Sequence, residues 1–407
     1  MKEYLKMAWR NIWRNKRRTY ITLASLFFAV FFALIMRGIQ IGSYGNMVDN
    51  VVLAYTGYIQ VHANGYWEDK VINKTLESSD ELFNTISSLQ NVKGMIPRLE
   101  SFALASVGLQ TKGVMVVGID PEKEDPLTKI SNKIVKGQYL NRDSDGVLVA
   151  ERLAKYLKID INDTLVLIGQ GYHGISAAGK YPVSGIVNFP SPELDNQLVY
   201  MNLPTCQYFY SSENRLTSIV VDIEDTDKMN NTADKLKEKI NPELYEVMTW
   251  KEMLTELVQS IEADNVGGLI MLGILYIIIA FGVFGTIMMM AAERIREFGV
   301  MVAVGMQKFK LAIIVVIETI YIGILGIISG SIGSIPILIY LYFNPIRLTG
   351  DVAKSMENYG IDPIMPVALE PGYFINQSLV VFIILFIAII YPAFFILRLN
   401  VINALRS

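Results

Sequence analysis

Four long apolar runs constrain this 407-residue chain more than anything else in it. Hydrocarbon admits only backbone whose hydrogen bonds are satisfied internally, so each run points to a helix. Spanning about 30 Å of bilayer takes roughly 20 apolar helical residues. Residues 20–36 carry no charge and the run continues past Arg37 to Ile41; 267–292 carry none, 311–343 carry Glu318 alone, and 377–397 complete the set. Composition agrees, with 52% hydrophobic and 18% charged residues, against about 25% charged in an ordinary soluble protein. The first run is longer than a signal-peptide core of about 7–15 residues and no small-x-small site follows it, so it is expected to stay as an anchor. The expected fold class is a membrane α-helical protein with four transmembrane helices in a one-plus-three order and a large extracytoplasmic α/β plus β-rich domain.

Orientation follows from the Lys and Arg count beside each span. Residues 1–18 hold seven, and the 293–310 loop holds Arg294, Arg296, Lys308 and Lys310. The tail adds Arg398 and Arg406, whereas the 344–376 loop has only Arg347 and Lys354 against Asp351, Glu357, Asp362 and Glu370. Both termini and the 293–310 loop are therefore expected to face the cytoplasm. The expected order is a cytoplasmic amphipathic helix (1–18), first span (19–41), outer α/β part (42–125), β-rich insert (126–212), second α/β part with a stalk helix (213–266), second span (267–292), cytoplasmic loop (293–310), third span (311–343), outer loop (344–376), fourth span (377–397) and tail (398–407). Segment 42–266 holds 20 basic and 31 acidic residues, a net of −11 where the whole chain has −3. That surface excludes a nucleic-acid partner, whose phosphates need basic residues.

Within the outer segment, strand patterns at 57–63, 101–107 and 114–118 surround a helix that a capping box at Ser78 and Glu81 would open. A second strand, helix, strand pattern follows at 218–223, 227–240 and 245–248. Between them, short β runs at 146–150, 164–168, 183–187 and 197–201 alternate with Gly, Pro and Asn. One α/β subdomain interrupted by a β-rich one is the expected result. A further box at Thr249 and Glu252 opens a helix with no breaker before Gly267, either a rod that transmits motion or a plain linker.

Catalytic signatures are missing from the sequence. There is no Gly-x-x-x-x-Gly-Lys-Ser/Thr phosphate loop, so ATP, if used, is bound with Mg by another chain. There is no Gly-x-Ser-x-Gly elbow. His62, His173 and the lone Cys206 stand at no metal-ligand spacing, and no metal or other cofactor is expected in this chain. Glu318 is the exception: an acid inside a span suggests function, although about two turns from the cytoplasmic face it could also snorkel. Gly323, Gly326, Gly330 and Gly333 form a small-residue row for close helix packing.

Residues 3–18 (EYLKMAWRNIWRNKRR) put Leu5, Trp9, Ile12 and Trp13 on one helical face and Arg10, Arg14 and Arg17 on another, an interfacial helix. The motifs Ala8, Arg10, Asn11, Lys16, Arg18, Thr19, then Glu293, Arg294, Glu297, Gly299, Ala303, Gly305, then Tyr391, Pro392, Ala393, Ala404, Leu405, Arg406 follow in order. In this pattern the chain resembles the permeases of the FtsX-like ABC transporter family, which includes the MacB-type and the lipoprotein-releasing permeases. Outer-domain runs at 117–121, 125–127, 136–137 and 149–154 resemble the lipoprotein-releasing members. The 169–182 stretch (GQGYHGISAAGKYP) is shorter and richer in glycine than the proline-bearing, carrier-recruiting hairpin of those permeases.

The resemblance implies that 293–310 is a coupling helix in a groove of a separate ABC ATPase dimer. Glu293, Arg294, Arg296 and Glu297 would make polar contacts, Val300, Val302 and Val304 would pack, and Gly299 and Gly305 would complete the motif. Trp9, Arg10, Asn11, Trp13 and Arg14 would hold the interfacial helix on the lipid bilayer. It further implies a second permease subunit, a lipoprotein substrate and a periplasmic carrier. Mechanical transmission to an efflux partner or a cell-wall enzyme, and a membrane-anchored sensor or scaffold, are the alternatives.

Overall fold

The computed structural model describes residues 2–14, 16–351, 353, 363–400 and 404. Lys354, Glu357, Asp362, Leu405 and Arg406, all used above, lie outside them. The chain divides into two compact units, residues 1–45, 260–347 and 364–407 in one and 46–259 with 348–363 in the other.

The first unit is helical. Among the described residues, four helices are long and apolar enough to cross a membrane: Thr19–Thr56, Thr255–Glu293, Lys308–Phe343 and Pro371–Leu397. A preceding helix, Lys2–Arg14, ends where the Thr19 hydroxyl donates to the Ile12 carbonyl at 2.6 Å. The small-residue row does what its spacing allows. A Cβ on Gly326 would lie 2.5 Å from Leu26 Cβ, and one on Gly330 would lie 2.8 Å from the Phe27 carbonyl oxygen, so both glycines press the third span onto the first. Gly333 faces the Phe27 ring, while Gly323 faces Leu385 of the fourth span.

The second unit is built on a ten-stranded sheet: β1 Ile59–Ala63, β2 Val92–Val107, β3 Gln110–Ile119, β4 Ile134–Gly137, β5 Val147–Ala150, β6 Thr164–Gln170, β7 Ser176–Val187, β8 Leu198–Asn202, β9 Ser218–Ile223 and β10 Tyr245–Thr249. The order is β10-β1-β9-β2-β3-β8-β5-β7-β4, with β6 joined to β2 and β7. Strands β1, β2, β9 and β10, with helices Asp80–Ser87 and Met229–Lys239, form two interleaved split β-α-β units in a ferredoxin-like arrangement. Strands β3 to β8 fall between the two halves in sequence.

Strand β2 explains how one sheet serves two cores. Its first half, up to Arg98, pairs with β9, and its second half lies between β3 and β6. Ile59, Val61, Leu82, Ile86, Val221 and Leu236 gather in one core, and Leu99, Val116, Leu148, Val199, Tyr200 and Tyr210 in the other. Fully buried Arg98, on β2, donates to Glu124 through Nε at 2.9 Å and Nη2 at 2.6 Å, and through Nη1 to the Tyr55 carbonyl at 2.5 Å. Burial would discharge the guanidinium, and the facing Glu124 carboxylate more than restores it.

Three local readings differ from the structure. Ser79, not Ser78, caps helix Asp80–Ser87, accepting from the Leu82 N–H at 3.3 Å, because the Ser78 N–H is already donated to the Asn214 carbonyl. The first-span helix, expected to end at residue 41, runs on to Val48 and then through wider turns to Thr56. Gly57, at φ +73°, stops it. The box at Thr249 forms, with the Glu252 carboxylate accepting from the Thr249 N–H at 2.6 Å, but the stalk is not continuous. Its first turn, Trp250–Met253, ends at Leu254 (φ −111°, ψ 53°), and a new helix starts at Thr255. Trp250 and Met253 are buried in the outer core and hold that turn to it.

Glu124→Ala would strand the Arg98 charge in a dry site and lower stability by about 3–5 kcal/mol, whereas Arg98→Met with Glu124→Leu should recover most of it. Chemical denaturation of the full chain in detergent measures both.

Candidate functional site

The loop between the second and third spans carries the candidate site. Glu293 closes the second-span helix, and a short helix, Ile295–Ala303, follows. Gly305, at φ +108°, turns the chain before Lys308 opens the third span. One face of the short helix is sealed. Phe298 packs with Leu311, Ala312, Val315, Ile396, Leu399 and Ala404, and Gly299 lies so near that its Cβ would sit 3.0 Å from Ala404 Cβ. Val302 leans partly into this cluster, whereas the sequence reading grouped it with Val300 and Val304. Those two point outward: Val304 is 84% exposed, and Arg296, Val300, Gly305 and Phe309 are exposed beside it.

Arg294 and Glu297 of the loop are engaged within the chain. Arg294 donates to Glu318 Oε2 of the third span at 2.6 Å and to Glu297 Oε2 at 3.3 Å, and its guanidinium lies 5.2 Å from the Phe298 ring. Asn11 of the first helix donates to Glu318 Oε1 at 2.6 Å. Arg14 pairs with Glu297. Partial burial would raise the Glu297 carboxyl, but Arg14 and Arg294 hold it below the usual range. Glu318 therefore joins the amphipathic helix, the loop and the third span through one carboxylate. An anion at that depth needs such donors, because unpaired it would be driven out or neutralised.

The amphipathic helix sits against the third span through buried Ala8 and Ile12 and through Trp9, whose ring meets Tyr321 edge-on at 5.7 Å. Leu5, Trp9, Arg10, Trp13 and Arg14 are exposed. Ile12 thus leaves the interfacial face on which the sequence placed it, and Asn11 turns inward beside it to reach Glu318. Spacing on the helix offered that signal: Ala8 and Ile12 at i, i+4 with Asn11 between them already define an inward stripe.

Elsewhere the titratable candidates are structural. His62 is buried, meets Gln60 Oε1 at 2.7 Å and stacks on Trp67, and burial with help from Lys70 pushes its pKa down to about 3. The Cys206 thiol is buried and pushed up, facing the Leu99 carbonyl. His173 is exposed on a loop, its N–H donating to Asn73 Oδ1 at 2.8 Å. Among the described residues no group of His, Cys, Asp and Glu is placed to hold a metal. The 169–182 stretch forms the ends of β6 and β7 with a three-residue turn between them.

Four candidate spans with the largest domain inserted after the first define a multispanning membrane protein. Residues 19–239 match the MacB-like periplasmic core domain and residues 269–401 the FtsX-like permease C-terminal domain. The chain belongs to this family of ABC transporter permeases, inner-membrane proteins with a periplasmic domain. It is similar to the lipoprotein-releasing system transmembrane protein LolC of Xylella fastidiosa strain 9a5c, 23% identical over 324 residues, which covers 77% of this chain and 78% of that one. LolC of strain Temecula1 matches to the same extent. Among solved structures, the periplasmic region of MacB from Actinobacillus actinomycetemcomitans is 15% identical with a TM-score of 0.37, covering 52% of this chain and 97% of that one. The extracellular domain of the Gram-positive transporter YknZ is 13% identical with a TM-score of 0.35, covering 47% and 100%.

Glu318→Ala removes the acceptor shared by Asn11 and Arg294. Loss of charge-assisted bonds of about 1.5–3 kcal/mol should loosen the amphipathic helix and speed tryptic cleavage after Arg14, Lys16 and Arg17 by roughly tenfold or more. Timed digestion read by mass spectrometry checks it.

Proposed function

We propose that this chain is the transmembrane subunit of an ATP-driven machine whose ATPase, with its ATP and Mg, is a separate dimer docked on the 293–310 loop. The observation that carries the reading is the open apolar face of the loop helix. Val300 on the helix and Val304 just past its end stay exposed, with Phe309 of the third span's first turn also exposed, while the helix's other face is sealed by Phe298 and Gly299. The Lys and Arg count supports cytoplasmic termini and a cytoplasmic loop, the side on which ATP is available. Arg296 and Lys310 are exposed in the same loop region and suit an acidic rim on the partner. Glu293, Arg294 and Glu297 would then act as the polar border of the docking site, set in place by Glu318 and Arg14. A second permease subunit, identical or related, would complete the transport path beside the first and third spans.

The cargo reading rests on the LolC relatives: release of a lipoprotein from the membrane towards a periplasmic carrier. Mechanical transmission to an efflux partner or a cell-wall enzyme uses the same docking and differs in outcome. Lipoprotein release from proteoliposomes with the ATPase present separates them.

Val304→Asp buries an unpaired carboxylate in the proposed groove, so it should weaken ATPase association about tenfold to a hundredfold while leaving the spans folded. Co-purification with the cognate ATPase, read with and without the substitution, measures it; unchanged association would remove the loop helix from the interface.

A further inference from the structure

The amphipathic helix presents Lys2, Lys6, Arg10 and Arg14 to the outside, with Lys16 and Arg17 continuing the series, against the single acid Glu3. Leu5, Trp9 and Trp13 are exposed among them, which is the composition of a helix lying in a bilayer interface. Among the described cations of this segment, Arg14 has an internal partner, since it pairs with Glu297 on the loop helix, and the two side chains are 57% and 47% exposed. The other members of the network are sheltered, Arg294 at 17% and Glu318 at 11%. The network thus has a closed inner part and an open outer pair.

Magnitudes decide what the open pair can do. An exposed ion pair shifts an equilibrium by about fivefold or less. One basic side chain near an anionic membrane surface gains about fivefold. The two attractions on Arg14 are nearly balanced, so the lipid facing the helix selects between them. We propose that anionic phospholipid headgroups compete with Glu297 for Arg14, and that the lipid composition of the leaflet thereby sets how far Glu297 is available on the loop helix. The Asn11 to Glu318 and Arg294 to Glu318 bonds keep the amphipathic helix seated while the exchange occurs. Arg294, at 3.3 Å, remains as a partner for Glu297, so the exchange changes its accessibility without leaving it bare. Where Glu297 borders an ATPase docking surface, a consequence that rests on the function proposed above, anionic lipid becomes a regulator of docking.

Carbodiimide labelling of carboxylates, mapped by mass spectrometry, tests the exchange without any partner. The full chain is placed in nanodiscs of phosphatidylcholine alone or of phosphatidylcholine with phosphatidylglycerol. Labelling of Glu297 should rise about threefold to fivefold with the anionic lipid, while exposed Glu243 of the outer unit stays constant. Arg14→Gln should give high labelling in both bilayers. Arg17→Gln, the same loss of charge about one turn away, should keep the response. Labelling of Glu297 that ignores phosphatidylglycerol, or Arg14→Gln responding as the unsubstituted chain does, overturns the proposal. ATPase binding in the same nanodiscs is the second readout: a labelling response with no ATPase bound in either bilayer keeps the lipid exchange and sinks the docking reading.

Discussion

A carboxylate inside a membrane span has to find donors within the protein, and Glu318 finds one on each of two other elements. Asn11 reaches it from the amphipathic helix and Arg294 from the loop. Hydrocarbon makes the arrangement stringent, because no solvent is available to replace a missing donor. The same demand fixes the loop helix. With Arg294 committed to Glu318, Phe298 turns into the cluster around Leu311 and Ile396, and the opposite face of the helix is left open. One ionisable group thus sets the geometry of a surface more than a turn away from it.

Much of this architecture is legible in the sequence because the bilayer imposes a length and a polarity that few other constraints imitate. The four spans, their one-plus-three order and the glycine row could be read directly, since spacing alone brings Gly326 and Gly330 to one helix face. The readings that moved did so where tertiary partners outrank local pattern. Ser78 and Ser79 are equal as caps until the strand pairing beside Asn214 takes the Ser78 N–H. Nothing local predicts a break at Leu254, because it comes from the burial of Trp250 and Met253 in a core assembled from distant strands. Residue 41 looked like a span end since charge and small polar residues follow, yet Val52 and Ala54 carry the helix on by burying themselves in the outer unit.

The outer unit illustrates a different limit on sequence reading. Two strand, helix, strand patterns separated by a β-rich segment suggested an interrupted subdomain, and the interleaved β1, β2, β9 and β10 have that relation. What the pattern could not convey is that the interruption is not a separate sheet. Strand β2 is 16 residues long and exchanges partners along its length, from β9 to β6, so the backbone ladder continues where the side-chain cores divide. The Arg98 and Glu124 pair lies near that exchange, since Arg98 is the last β2 residue matched to β9 and the first matched to β3. Burying an ion pair seldom adds net stability, but it does penalise any register in which the partners fail to meet. A strand that changes neighbours midway is a place where register needs such enforcement.

The loop helix obeys a comparable logic at smaller scale. An exposed apolar face could in principle be relieved by rolling the helix about its axis, and the sealed face forbids that. Gly299 admits Ala404 only because it has no side chain, and Phe298 occupies the space a rolled Val300 would need. Arg294 adds a polar tether at the first turn, while Gly305 adopts a conformation that β-branched residues resist, fixing the exit direction. Val300 and Val304 are therefore held outward by what surrounds the helix more than by their own preference. A helix of only nine residues that could rotate in place would present no fixed face. Phe298, Gly299 and Arg294 fix it both to the first turns of the third span and to the end of the fourth, so its outward face is set by two spans at once.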